Sequence, residues 1–211
     1  MSEELTIRST DGLALEAALD MPADPRGMCV FCHPHPGYGG TMNAPLLLAL
    51  RDDLVERNFS VLRFNFRGIG RSEGTSGIGD AEIADALGAI EVARSRTGDA
   101  PLVLLGWSFG GAVAIRAAAQ VPVEAVVAVA PAVERKEIVA GLPAPEELGL
   151  TVPLLVVIGS NDEAVSPAAC AAWTERVPGA RLVEMPGTNH FFWAKYPQLA
   201  DTVGSWLEEV L

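Results

Sequence analysis

The sequence predicts a doubly wound α/β fold on a mostly parallel, eight-stranded sheet. Short Val- and Leu-rich runs alternate with amphipathic stretches along the chain, which is the pattern of repeated strand–helix units. Most of those runs are near-continuously apolar, as strands covered on both faces must be. The chain has 211 residues, of which 49% are apolar and 20% charged. That suits one domain, 1–211, able to bury a core without disulfides or metals.

Taken in order, LTIRS and LALEAAL read as two alternating strands joined by a tight turn at Asp11-Gly12. GMCVFCH, SVLRFNF, PLVLLGW, VEAVVAVA, VPLLVVIG and ARLVEMP supply six more strands. Helices are expected over 44–57, 80–96, 109–120, 167–177 and 196–210; in the first, Leu47, Leu50, Leu54 and Val55 recur at helical spacing. The least regular stretch is 131–151.

The net charge of -12 argues against nucleic acid or an anionic membrane surface as partner. No apolar run approaches the length of a membrane span. MSEELTIRST has no basic region followed by an apolar one, so no signal peptide is expected and a cytoplasmic setting is. Three cysteines fit a reducing compartment. No motif fixes an oligomeric state.

Cys29 to His33 match C-x-x-C-H, the attachment pattern of a c-type haem. Within a strand, however, an odd separation sends Cys29 and Cys32 to opposite faces. They are expected to pack in the core. Two prolines interrupt the His33/His35 pair, which makes it a poor zinc site. No cofactor and no metal are expected.

Two stretches match G-x-S-x-G: Gly70 to Gly74, around Ser72, and Gly106 to Gly110, around Ser108. A nucleophile elbow requires strand, sharp turn and helix in succession. Ser108 follows PLVLLGW and precedes FGGAVAIRAAAQ, whereas Ser72 lies in a Gly-rich loop. Ser108 is therefore the candidate nucleophile. It needs a base, and His190 follows ARLVEMP, on the sheet edge where Ser108 emerges. The base in turn needs an acid. Asp162, directly after VPLLVVIG, fits the order Ser, acid, His, with Glu163 and Glu134 as competitors. An oxyanion needs two N–H donors. Phe109, next after the nucleophile, supplies one. The loop HPHPGYGGTM supplies the other through His35, with Tyr38 as the alternative, because Pro34 and Pro36 have no N–H.

Together these residues resemble the α/β-hydrolase superfamily over nearly the whole chain. GWSFGG looks like the elbow, GSNDEAVSP like the acid loop and TNHFF like the histidine loop. HPHPGYGGTM and RFNFRGIGRSEG look like small bacterial hydrolases related to the dienelactone hydrolases, which use cysteine where this chain has Ser108. The resemblance implies a Ser108–Asp162–His190 triad, with Arg67 to Gly74 as a structural loop beside it. It also implies a serine hydrolase of carboxylic esters or thioesters working through an acyl-enzyme, with a small-molecule ester as partner. A non-catalytic binding module on the same fold is the alternative. The stretch 131–151 is too short for a lid domain, so an open site is expected. Tyr38, Met42, Trp107, Phe109, Phe191, Phe192 and Trp193 are candidates to line it.

Overall fold

A computed structural model describes residues 2–211. Its strands are β1 (Glu3–Arg8), β2 (Ala14–Asp20), β3 (Gly27–Cys32), β4 (Phe59–Phe64), β5 (Leu102–Trp107), β6 (Ala125–Val129), β7 (Leu154–Gly159) and β8 (Ala180–Met185). They form one sheet in the order β1-β2-β4-β3-β5-β6-β7-β8. β2 runs antiparallel to both its neighbours, and every pairing from β4 to β8 is parallel. Every residue of β3, β4, β5, β6 and β7 is buried, which is why those runs are apolar without alternation. Cys29 and Cys32 are among them, and burial pushes both thiols up, away from the reactive thiolate form.

The Asp11-Gly12 turn is wider than expected. Ser9 O accepts from Gly12 N–H at 3.0 Å, and Ser9 N–H donates to Leu13 O at 3.0 Å. The turn therefore spans Ser9 to Gly12, with Gly12 last, at φ +97°. Glycine there supplies the left-handed residue that returns the chain to β2.

The helices are α1 (Pro45–Glu56), α2 (Glu82–Thr97), α3 (Phe109–Ala118), α4 (Pro145–Leu148), α5 (Pro167–Thr174) and α6 (Tyr196–Val210). α1 packs with α6 and α2 with α3, covering the sheet's two faces. Leu46, Leu47, Leu50 and Leu54 bury the inner stripe of α1, while Val55 is only half-buried. α5 starts where Ser166 Oγ accepts from Ala169 N–H at 3.2 Å, with Pro167 in the first turn. It ends earlier than expected, because Arg176 and Val177 bond back three residues, to Trp173 and Thr174. The stretch 131–151 holds a Lys136–Val139 bridge and the single turn of α4.

The loop after β4 is pinned by a buried ion pair. Arg67 Nη2 lies 2.7 Å from Asp85 Oδ1, and Arg67 N–H donates to Asp85 Oδ2 at 2.9 Å. Burial pushes the Asp85 carboxyl up, against the pull of Arg67. Removing one partner would strand the other charge, at a cost of roughly 3–5 kcal/mol. Among the described residues no helix is long and apolar enough to cross a membrane.

Candidate active site

β5 ends at Trp107 and α3 begins at Phe109, leaving Ser108 alone in the turn. Its φ is +57° and its ψ -115°, a conformation that strains a residue bearing a Cβ. The surroundings enforce it. Ser108 N–H donates to Val129 O at 2.8 Å, and Ser108 O accepts from Ala112 and Ala132 N–H at 3.2 and 3.1 Å. Side chains are excluded on either side: a Cβ on Gly106 would run into Gly110 O, and one on Gly110 into the carbonyls of Cys32 and His33.

The loops after β7 and β8 are knitted together by backbone. Asn161 N–H donates to Thr188 O at 2.9 Å and Ser160 N–H to Met185 O at 3.0 Å. A Cβ on Gly159 would meet Thr188 O. This brings Asp162 to His190. His190 Nδ1 lies 2.8 Å from Asp162 Oδ2, and His190 Nε2 lies 3.0 Å from Ser108 Oγ. A carboxylate can only accept, so Nδ1 carries the proton and Nε2 accepts from the serine hydroxyl. Asp162 Oδ1 accepts from Ala164 and Val165 N–H at 2.9 and 2.8 Å, which fixes the carboxylate plane. Trp107 Nε1–H donates to His190 O at 3.2 Å and steadies the histidine loop. Glu163 and Glu134 are exposed on the cavity wall, outside this chain of bonds.

The loop after β3 forms a single 3₁₀ turn at Pro36–Tyr38. Tyr38 N–H donates to His35 O at 3.1 Å and is spent on that turn, which leaves it unavailable to a ligand oxygen. His35 N–H donates to no protein group among the described residues. Phe109 heads α3, where an N–H has no intrahelical acceptor. The His35 ring has a part that the sequence did not reveal. Its Nδ1 accepts from Gly37 N–H at 2.9 Å and its Nε2–H donates to Ile138 O at 3.1 Å.

His33 is fully buried: Nδ1–H donates to Pro34 O at 2.7 Å and Nε2 accepts from Phe66 N–H at 3.0 Å. Burial lowers its pKa to about 4. Both ring nitrogens are occupied, so it forms no metal pair with His35. Ser72 is likewise committed, donating to Asn65 O at 2.7 Å and accepting from Glu16 N–H at 3.0 Å.

Ser108 opens into a cavity of about 750 Å³. Tyr38, Trp107, Phe109 and Phe191 line it as expected. Three candidates do not. Met42 is buried beside it, its N–H held by Asn65 Oδ1 at 2.8 Å. Phe192 is fully buried in the core, and Trp193 stands outside, stacked on Phe191. The wall formed by Ala132, Glu134, Lys136, Ile138 and Val139 escaped sequence reasoning, because that stretch has no strand or helix period.

The model of the family described as serine aminopeptidase, S33 matches residues 23–148. The chain belongs to that family. It is thus a member of the α/β-hydrolase superfamily. This α/β-hydrolase is 31% identical to an α/β serine hydrolase without lid from Xanthomonas campestris, over 100% of this chain and 95% of that one, at a TM-score of 0.87. It is 28% identical to an α/β serine hydrolase homologue from Coxiella burnetii, over 97% of each chain, at a TM-score of 0.87. An uncharacterized protein of Rickettsia prowazekii is 27% identical over 186 residues, 83% of this hydrolase and 76% of its own length.

Proposed function

We propose that this protein hydrolyses carboxylic esters or thioesters, with Ser108 as nucleophile, His190 as general base and Asp162 as the acid that fixes the imidazole. One observation carries the reading: the unbroken hydrogen-bond chain Asp162–His190–Ser108, at 2.8 and 3.0 Å, with the serine on a strained elbow. Ser108 Oγ attacks the acyl carbon as its proton passes to His190 Nε2. Asp162 stabilises the imidazolium that results. The Phe109 and His35 N–H groups receive the negative charge that develops on the carbonyl oxygen. His190 then protonates the leaving alkoxide or thiolate, and an activated water releases the acid. The chain's own groups carry every step, with no cofactor. Ser108, Asp162 and His190 follow three strands of one sheet, which supports residues 1–211 acting as one domain. A small ester is the partner, in a cytoplasmic setting, without nucleic acid or membrane.

A fluorophosphonate probe tests the reading, together with a panel of p-nitrophenyl esters, a thioester and an aminoacyl p-nitroanilide. Labelling at Ser108 with turnover of the esters or thioester is expected. Absence of labelling would overturn it; turnover of the anilide alone would replace ester with amide.

A further inference from the structure

Six large apolar side chains of the described residues are substantially exposed, and four of them gather at the mouth of the Ser108 cavity. Tyr38, Ile138 and Phe191 line it. Trp193 lies on Phe191, with ring centroids 5.0 Å apart and planes 13° apart. Tyr38 is 81% exposed and Trp193 65%. They come from different loops, Tyr38 from the one after β3 and Trp193 from the one after β8. Tyr38 leans on His35, whose ring holds Ile138 O, while Phe191 meets the His190 ring edge-on at 5.6 Å.

The exposure of Trp193 is enforced by the backbone. Phe192 and Ala194, its two neighbours, both have positive φ, at +52° and +59°. This region is disfavoured for residues with a Cβ and persists only where the surroundings impose it. Phe192 is the anchor: it is fully buried, its N–H donates to Asn189 O at 3.1 Å, and its O accepts from Lys195 N–H at 3.0 Å. The outcome is Phe191 and Trp193 outward with Phe192 inward. A strained loop that holds an indole in water is a poor use of apolar surface unless something covers it.

We infer that this collar is an extended subsite for the apolar tail of the ester. The substrates would be neutral esters whose acyl or alkoxy group runs from Ser108 out of the cavity onto Tyr38, Phe191 and Trp193. The inference rests on the hydrolase reading above. The collar is continuous with the cavity wall, which fits the tail of a substrate bound at Ser108. Charge disfavours an anionic tail, since two carboxylates, Glu134 and Glu163, lie on the wall against one ammonium, Lys136, which donates to Ala164 O at 2.8 Å; the collar side chains Tyr38, Phe191 and Trp193 carry no charge, which suits a neutral tail.

The test compares p-nitrophenyl octanoate and octyl acetate, which place a long chain on the acyl and the alcohol side, each with its short counterpart, p-nitrophenyl acetate or ethyl acetate. All are used below the concentration at which they aggregate. In Trp193→Ala and Tyr38→Ala, the long-to-short ratio of kcat/KM should fall roughly tenfold in at least one arm, through KM. The responding arm assigns the side of the ester that the collar receives. Met21→Ala, at an exposed apolar residue outside the cavity wall, should leave the ratio unchanged. Binding of p-nitrophenyl octanoate to Ser108→Ala, followed by calorimetry, needs no turnover. It should be tighter than that of the acetate and weaken when Trp193→Ala is added. An unchanged ratio in both arms, or binding to Ser108→Ala that is blind to chain length both for p-nitrophenyl octanoate against the acetate and for octyl against ethyl acetate, would overturn the collar. Loss of fluorophosphonate labelling would instead remove the hydrolase reading, and the binding arm would still decide the collar.

Discussion

Gly110 sits so close to the carbonyl of Cys32 that no side chain fits between them. This contact sets the elbow at the head of α3 against the end of β3, and so places the Phe109 N–H beside the loop that carries His35. Gly110→Ala must push the two apart. It should lower stability by about 1–3 kcal/mol and kcat by up to about 100-fold, because small misplacements of an oxyanion donor are costly. Thermal unfolding and ester turnover measure both. A destabilised variant with wild-type kcat would show that the spacing serves packing alone.

The two G-x-S-x-G serines should separate cleanly. Ser108→Ala should lose on the order of 10⁴-fold or more in kcat. Ser72→Ala should keep its chemistry but lose about 1–3 kcal/mol of stability, because it leaves Asn65 O and Glu16 N–H without their buried partner. Denaturant melts alongside turnover at low temperature check this. A folded but inactive Ser72→Ala enzyme would refute the assignment.

Asp162→Asn preserves shape but reverses a bond. The amide oxygen can still accept from Ala164 and Val165, which turns the NH₂ toward His190 Nδ1. Nδ1 must then accept, Nε2 carries the proton, and Ser108 has no base. The loss in kcat should be on the order of 10⁴-fold. Glu163→Gln, on an exposed side chain, should retain the wild-type kcat on a short ester such as p-nitrophenyl acetate. Equal losses in the two variants would contradict the geometry.

His33 makes stability depend on pH. Its folded pKa of about 4 lies below the ordinary value near 6.5. Between these limits the unfolded chain takes up a proton that the folded one refuses. Stability should therefore fall as pH drops from about 6.5 to 4, by roughly 3 kcal/mol in all, and this contribution should level off below that. Urea midpoints across this window should slope less steeply in His33→Gln. Equal slopes would mean that His33 titrates normally in the fold.

The thiols should be silent. Cys29 and Cys32 are fully buried, and burial pushes the Cys170 thiol up to about 12. The native protein should react with a thiol reagent only on unfolding, and should show no haem absorbance. Rapid modification of the folded protein would contradict the burial of all three.

Local signals determined much of this protein. Period and run length located every strand of the sheet. The context of Ser108, strand before and helix after, separated it from Ser72, and chain order singled out Asp162 and His190. What escaped has a common physical cause: it depends on contacts between segments far apart in the chain. The hydrogen bond from His35 to Ile138 spans 103 positions, and no local pattern encodes it. The wall from Ala132 to Val139 is shaped by what it packs against. Met42 lies buried beside the cavity and Trp193 at its rim because an apolar residue near a site can face inward, outward or along the wall, and sequence period assigns no direction within a loop. Only the tertiary structure could turn Phe192 inward and leave Phe191 and Trp193 at the rim, because that choice rests on two strained backbone positions held by surrounding contacts.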